Sequence, residues 1–165
     1  MVSRRLSAEA GHRRKFLAIV DNTPECERAI TYAARRAHST GGAVILLYVI
    51  ETADFQQWLG VEKIMREEAN ATAGSALDSH ATRIRETLGI EPELVVREGI
   101  AAQEIHKLIE EDQDIAVLVL AAGSAKEGPG PLVASLGGKG GGSAFPIPVT
   151  VVPAGLNDDD IETLA

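Results

Sequence analysis

A chain of 165 residues, 45% of them hydrophobic, has the size and make-up of one domain that buries a core without disulfides or metals. Its formal net charge of -8 repels phosphate backbones, and an aromatic content of 4% leaves few rings for base stacking. Both count against nucleic acid as a partner.

Residues 1–14 carry Arg4, Arg5, Arg13 and Arg14 without an apolar stretch, so they read as a flexible basic arm and not as a secretory signal. No run approaches the roughly 18 apolar residues that cross a bilayer, and the single cysteine, Cys26, cannot form an intrachain disulfide. A cytoplasmic protein with no membrane partner is expected. Cys26 itself reads as a small residue on a helix face.

From Phe16 onward, apolar runs alternate with amphipathic stretches. Phe16 to Val20 reads as the first strand. Cys26, Ala29, Ile30, Ala33, Ala34 and Ala37 recur at helical spacing behind it, with Asn22 or Thr23 as N-cap and Pro24 in the first turn. Ala43 to Ile50 is the second strand. Val61, Ile64, Met65, Ala69, Ala73, Leu77, Ile84 and Leu88 mark a long second helix that Gly89 ends. Leu94 to Val96 is a third strand, Ala101 to Ile109 a third helix, and Ile115 to Ala122 a fourth strand. A fourth helix falls between Pro131 and Ala144, weakened by glycines that each cost about 1 kcal/mol against alanine. Ile147 to Val152 is the last strand, and residues 154–165 form an acidic tail with Asp158, Asp159 and Asp160. Near-continuous apolar strands separated by helices predict an α/β fold: an open, parallel, doubly wound sheet with helices on both faces, its main domain spanning residues 15–153.

Ligands of such sheets bind beyond the carboxyl ends of the strands, where strand order reverses. Val20-Asp21-Asn22 and Ala122-Gly123-Ser124 meet that description. Asp21 suits a ribose or adenine hydrogen bond and equally a helix cap. The run Gly123-Ser124-Ala125-Lys126-Glu127-Gly128-Pro129-Gly130 suits a phosphate cradle and equally a strand exit. Ser124 could offer a hydroxyl and Lys126 a charge, each also at home on a solvated turn. Several familiar motifs are missing. The residues around Gly138-Lys139-Gly140 break the Walker pattern twice, Asp21-Asn22-Thr23-Pro24 replaces the dinucleotide fingerprint, no Gly-x-Ser-x-Gly elbow occurs, and His12, His38, His80 and His106 lack zinc-site spacing. With no nucleophile, general base or metal set evident, catalysis is not expected.

Phe16 to Ala34, with its Asp21 and Thr23-Pro24-Glu25 turn, resembles the opening of the universal stress protein family. Leu46 to Ile50, Val119 to Ser124 and Pro146 to Val152 are similar to that family's second, fourth and last strands, so the resemblance covers roughly residues 15–153. It implies an adenine nucleotide alpha hydrolase-like sheet of five strands in order 3-2-1-4-5 and a homodimer paired along Ile147 to Val152. It also implies adenosine contacts at Asp21, Asn22 and Val49. Members that bind ATP carry Gly-x-x-Gly, nine residues, then Gly-Ser or Gly-Thr. Here Gly123 keeps the first position and Lys126 takes the second, Gly128 lies beyond, and the later element is displaced to Gly137, one residue late. The expectation is a stress-response regulatory protein that binds nucleotide weakly or not at all and has an unidentified protein partner. The alternative is an adenine-nucleotide-binding protein with slow ATPase or adenylyl-transfer activity, using ATP and Mg, Asp21, Gly123, Ser124 and glycines from Gly137 on. An electron-transfer-flavoprotein-like domain is a weaker third reading, because the chain lacks a second half.

Overall fold

The computed structural model describes residues 3–51, 60–124, 128–136 and 145–165. In chain order it contains β1 (Lys15–Val20), α1 (Cys26–Thr40), β2 (Ala43–Ile50), α2 (Glu62–Leu88), β3 (Glu93–Glu98), α3 (Ala101–Glu111), β4 (Ile115–Ala121), α4 (Pro131–Leu136), β5 (Val149–Val152) and α5 (Asp158–Leu164). The strands form one parallel sheet in the order β3-β2-β1-β4-β5, the order that the resemblance implies.

Alternation along the central strands divides two cores. Phe16, Ala18 and Val20 of β1 join Val44 and Leu46 of β2 under α1, α2 and α5. Leu17 and Ile19 point the other way and meet Ile45, Leu47 and Leu118, closed over by Ile105, Leu108 and Ile109 of α3. Burial on both faces is what the continuous apolar runs require. β3 departs from it. As an edge strand it leaves Leu94 and Val96 36% and 37% exposed, and the charges on Glu93, Arg97 and Glu98 guard the open edge.

Gly89 ends α2 as expected, with φ of +68° in the left-handed region that an L side chain avoids. Four other features differ from the sequence expectations. The N-cap of α1 is Glu25, without a side-chain cap bond, because the Thr23 backbone N–H and hydroxyl both donate to the Asp21 carboxylate and hold the turn one step earlier. The last strand begins at Val149: Pro146 and Pro148 have no N–H for a ladder, and Phe145 and Ile147 turn into the lower core. The basic N-terminal stretch is hydrogen-bonded to the body. Arg5 Nη1 donates to the carbonyls of Ile109, Asp112 and Ile115, and the Ser3 hydroxyl reaches Glu110 at 2.6 Å.

The acidic tail is a helix. Asn157 Oδ1 accepts from the Asp160 N–H at 2.8 Å while Asp160 Oδ2 accepts from the Asn157 N–H at 3.1 Å, a reciprocal capping box. Asp158, Asp159 and Asp160 crowd the positive end of the helix dipole, and the fully buried Ile161 seats α5 in the α1 core. Since this cap starts the helix that packs on α1 through Ile161, Asn157→Ala should cost about 0.5–2 kcal/mol, read as a lower urea midpoint at unchanged slope. An unchanged midpoint would mean that α5 adds nothing to global stability.

Candidate functional site

β1 and β2 end side by side, Val20 opposite Tyr48, and their exits open a cleft of about 450 Å³. Asp21, Asn22, Tyr48, Val49 and Glu51 form one wall. Ile100, Ala101 and Ala102 at the start of α3, with Pro131, Leu132 and Ser135 of α4, form the other. Ala101 and Ala102 belong to a first helical turn, whose N–H groups have no partner within the helix. A neighbouring cleft of about 460 Å³ shares Asn22, Tyr48, Val49 and Glu51 and continues to Met65, Glu68 and Thr72 of α2. The lining of the first cleft is mainly apolar and that of the second is mixed, carboxylates border both, and no lysine or arginine lines either among the described residues.

Asp21 lines the cleft and holds the local turn at once. One carboxylate oxygen accepts from the Thr23 N–H at 2.8 Å and from the Thr23 hydroxyl, a local turn and not a cap of α1. The side chain is exposed and lines the large cleft as well as a small one of about 70 Å³ beneath the β4 exit. Asn22 and Val49 line the large cleft too, so three of the expected site residues converge there.

The glycine segment does not join them. The Gly128 N–H donates to Ser124 O at 2.9 Å, and the Gly123 N–H points to Pro129 O at 3.5 Å. A Cβ on residue 123 would lie 2.2 Å from Gly128 O, so glycine is required there for the loop to close on itself. The same point lies 3.2 Å from Glu25 Oε1, which puts a carboxylate over the β4 exit. Arg28 spans from α1 and donates to Ala122 O at 3.1 Å, tying down the same exit. Gly123, Ser124 and Gly128 line none of the large cleft; Lys126 and Gly137 lie outside the described residues. The α3 entry, Ile100 to Ala102, was missed by the sequence reading. Its signal was an apolar residue and two alanines directly after a strand and Gly99, at an edge where this sheet type binds ligands.

The family model described as the universal stress protein family matches residues 12–153. The chain belongs to the universal stress protein family. Solved relatives share its fold at low identity. The universal stress protein UspA from Lactobacillus plantarum superposes with a TM-score of 0.69 at 18% identity, covering 84% of this chain and 97% of that one. A universal stress protein from Archaeoglobus fulgidus, solved in complex with dAMP, gives 0.55 at 20% identity over 84% of this chain and 97% of that one. A family protein from Arabidopsis thaliana with AMP bound gives 0.58 at 16% identity over 89% and 94%. No curated protein matches the sequence. Within this family member, no described helix is long and apolar enough to cross a membrane.

Cys26 lies beside the site without serving it. It is 7% exposed, and its thiol donates to Asp21 O at 3.5 Å. Burial, chiefly, pushes its pKa up to about 11 from 9.0, so it is a poor nucleophile. The unfolded thiol ionises first as pH rises, so the group lowers stability progressively between 9.0 and about 11 and is neutral to stability below that window. Cys26→Ala should therefore flatten the fall in urea midpoint across this range relative to the parent protein. Parallel pH profiles of the two proteins would contradict this assignment.

Proposed function

We propose that this universal stress protein is a cytoplasmic, stress-response regulatory protein that acts as a homodimer. It takes the adenosine part of a nucleotide weakly into the cleft at Asp21, Asn22 and Val49 and does not turn nucleotide over efficiently. Family membership and the AMP and dAMP held by structural relatives support an adenine nucleotide as the ligand class. The observation that carries the weak grip is Glu25: its carboxylate sits over Gly123, and the amides of Gly123 and Gly128 face the loop's own carbonyls. A phosphate chain there would meet like charge with fewer free donors. Among the described residues no group of three or more acidic, histidine or cysteine side chains could hold a metal ion, so magnesium would arrive bound to phosphates.

A second reading, an ATP-binding protein with slow ATPase or adenylyl-transfer activity, draws on the exposed Asp21 carboxylate and on Ser124 at the β4 exit. Calorimetry separates the two. Adenosine and AMP should bind with a Kd no tighter than on the order of 0.1 mM, ATP with magnesium no tighter than AMP, and Asp21→Ala should abolish the heat. Glu25→Gln should strengthen ATP binding by roughly tenfold, by removing one close negative charge. Micromolar ATP binding with turnover that Asp21→Ala eliminates would establish the second reading instead.

The dimer is proposed to pair along β5, an edge strand whose Val149, Thr150 and Val151 are only half-buried in one chain. Ile147, part of the contact expected from sequence, is 7% exposed within its own core and is left out of the pairing surface. Light scattering at micromolar concentration should give twice the mass of one chain, falling to a single mass in Val151→Lys. A monomeric parent protein would remove the dimer from the proposal.

A further inference from the structure

At the opposite edge of the sheet, where the strands begin, lies a third cleft of about 260 Å³. Phe16 of β1 and Val117 of β4, partners in the sheet register, contribute its apolar floor. Tyr32, Arg36 and Thr40 line it from α1, spaced four residues apart and so on one face of the helix. Arg14, just before β1, and Thr150 of β5 complete it.

Charge sets this cleft apart. The chain has 24 acidic and 16 basic side chains, and its described cations are mostly paired: Lys15 with Glu93 and Asp112, Arg35 with Glu162, Arg97 with Glu111. The guanidinium groups of Arg14 and Arg36 have no ion pair or hydrogen bond with any described residue, and among the described residues no carboxylate lines the cleft. The hydroxyls of Tyr32 and Thr150 also lack a described partner, whereas Thr40 donates to Arg36 O at 2.7 Å. Two guanidinium forks and two hydroxyls are surplus donors around an apolar floor.

We infer that this cleft binds a small organic phosphomonoester with an apolar or aromatic body. Two arginines match the charge of nearly -2 that a phosphomonoester carries at pH 7, and their planar forks match its oxygens. Phe16, Val117 and the Tyr32 ring receive the body. At about 260 Å³ the cleft falls below the roughly 300–1,000 Å³ usual for drug-sized ligands, so the ligand is smaller than a nucleotide. The site lies across the sheet from Asp21 and does not depend on the nucleotide reading.

Calorimetry of the full chain with phenyl phosphate as the probe tests this. Saturable binding should appear, weakening at high salt, and Arg14→Ala and Arg36→Ala should each weaken it by roughly tenfold or more. Arg36→Lys should restore only part, because an ammonium lacks the fork. Asp21→Ala should leave it unchanged. Both arginines are exposed, and circular dichroism verifies that the variants fold. No saturable binding at millimolar probe, or binding that survives loss of both arginines, overturns the site. Equal binding of benzoate overturns the choice of phosphate, and equal binding of inorganic phosphate overturns the apolar body.

Discussion

The rest of the molecule is organised by the burial of β1 on both faces. Leu17 and Ala18 are fully enclosed and face opposite layers, so the strand can exist only with helices on each side and with β2 and β4 as hydrogen-bonded neighbours. A parallel partner cannot be reached by a tight turn. The chain must therefore cross over through α1 on one side and α3 on the other, and strand order reverses at β1. That reversal puts α3 and α4 on the face opposite α1, where their first turns stand across from the β1 and β2 exits and complete the crevice. The cleft at Asp21 is thus a geometric result of where the apolar residues lie.

Chemical character at the crevice comes from short-range competition for donors and acceptors. The Asp21 carboxylate is drawn into its own turn by Thr23, which leaves α1 to begin at Glu25 without a side-chain cap. Across the crevice, the Gly128 amide donates to Ser124 O and the Gly123 amide faces Pro129 O. Both arrangements favour a stiff, self-contained rim over one whose donors wait for a polyphosphate. The apolar side of the crevice, at Val49 and Ile100 to Ala102, stays open under the same arrangement.

Period and punctuation made much of the fold legible in the sequence. The 3.6-residue recurrence from Cys26 to Ala37, the continuous apolar β2 run and Gly89 after Leu88 fixed elements that the structure reproduces. What escaped was decided by contacts distant in sequence. Arg5 finds carbonyls more than a hundred residues away, and Ile161 finds the α1 core, so a basic arm and an acidic tail become docked segments. The site was half legible for the same reason. Asp21 follows from the β1 exit and Val49 only from the family resemblance, while Glu25 over Gly123 depends on how α1 and the β4 exit meet, which no local pattern encodes. Ile100 to Ala102 carried only the weak signal of small residues after a strand.

The docked terminal segments have a practical consequence. Ser3 is fastened to Glu110 near the end of α3, and Ala165 receives a hydrogen bond from Ser39 near the end of α1. Both helices run back against their strands, so these anchors lie at the edge where the strands begin, one in each covering layer. A fluorophore or fusion partner attached at either position would leave the mouth of the Asp21 cleft clear, whereas only one at Ala165, in the α1 layer, would stand on the same side as the arginine-lined cleft. Placement of a label at Ser3 or at Ala165 therefore determines whether the arginine-lined cleft can be studied without obstruction.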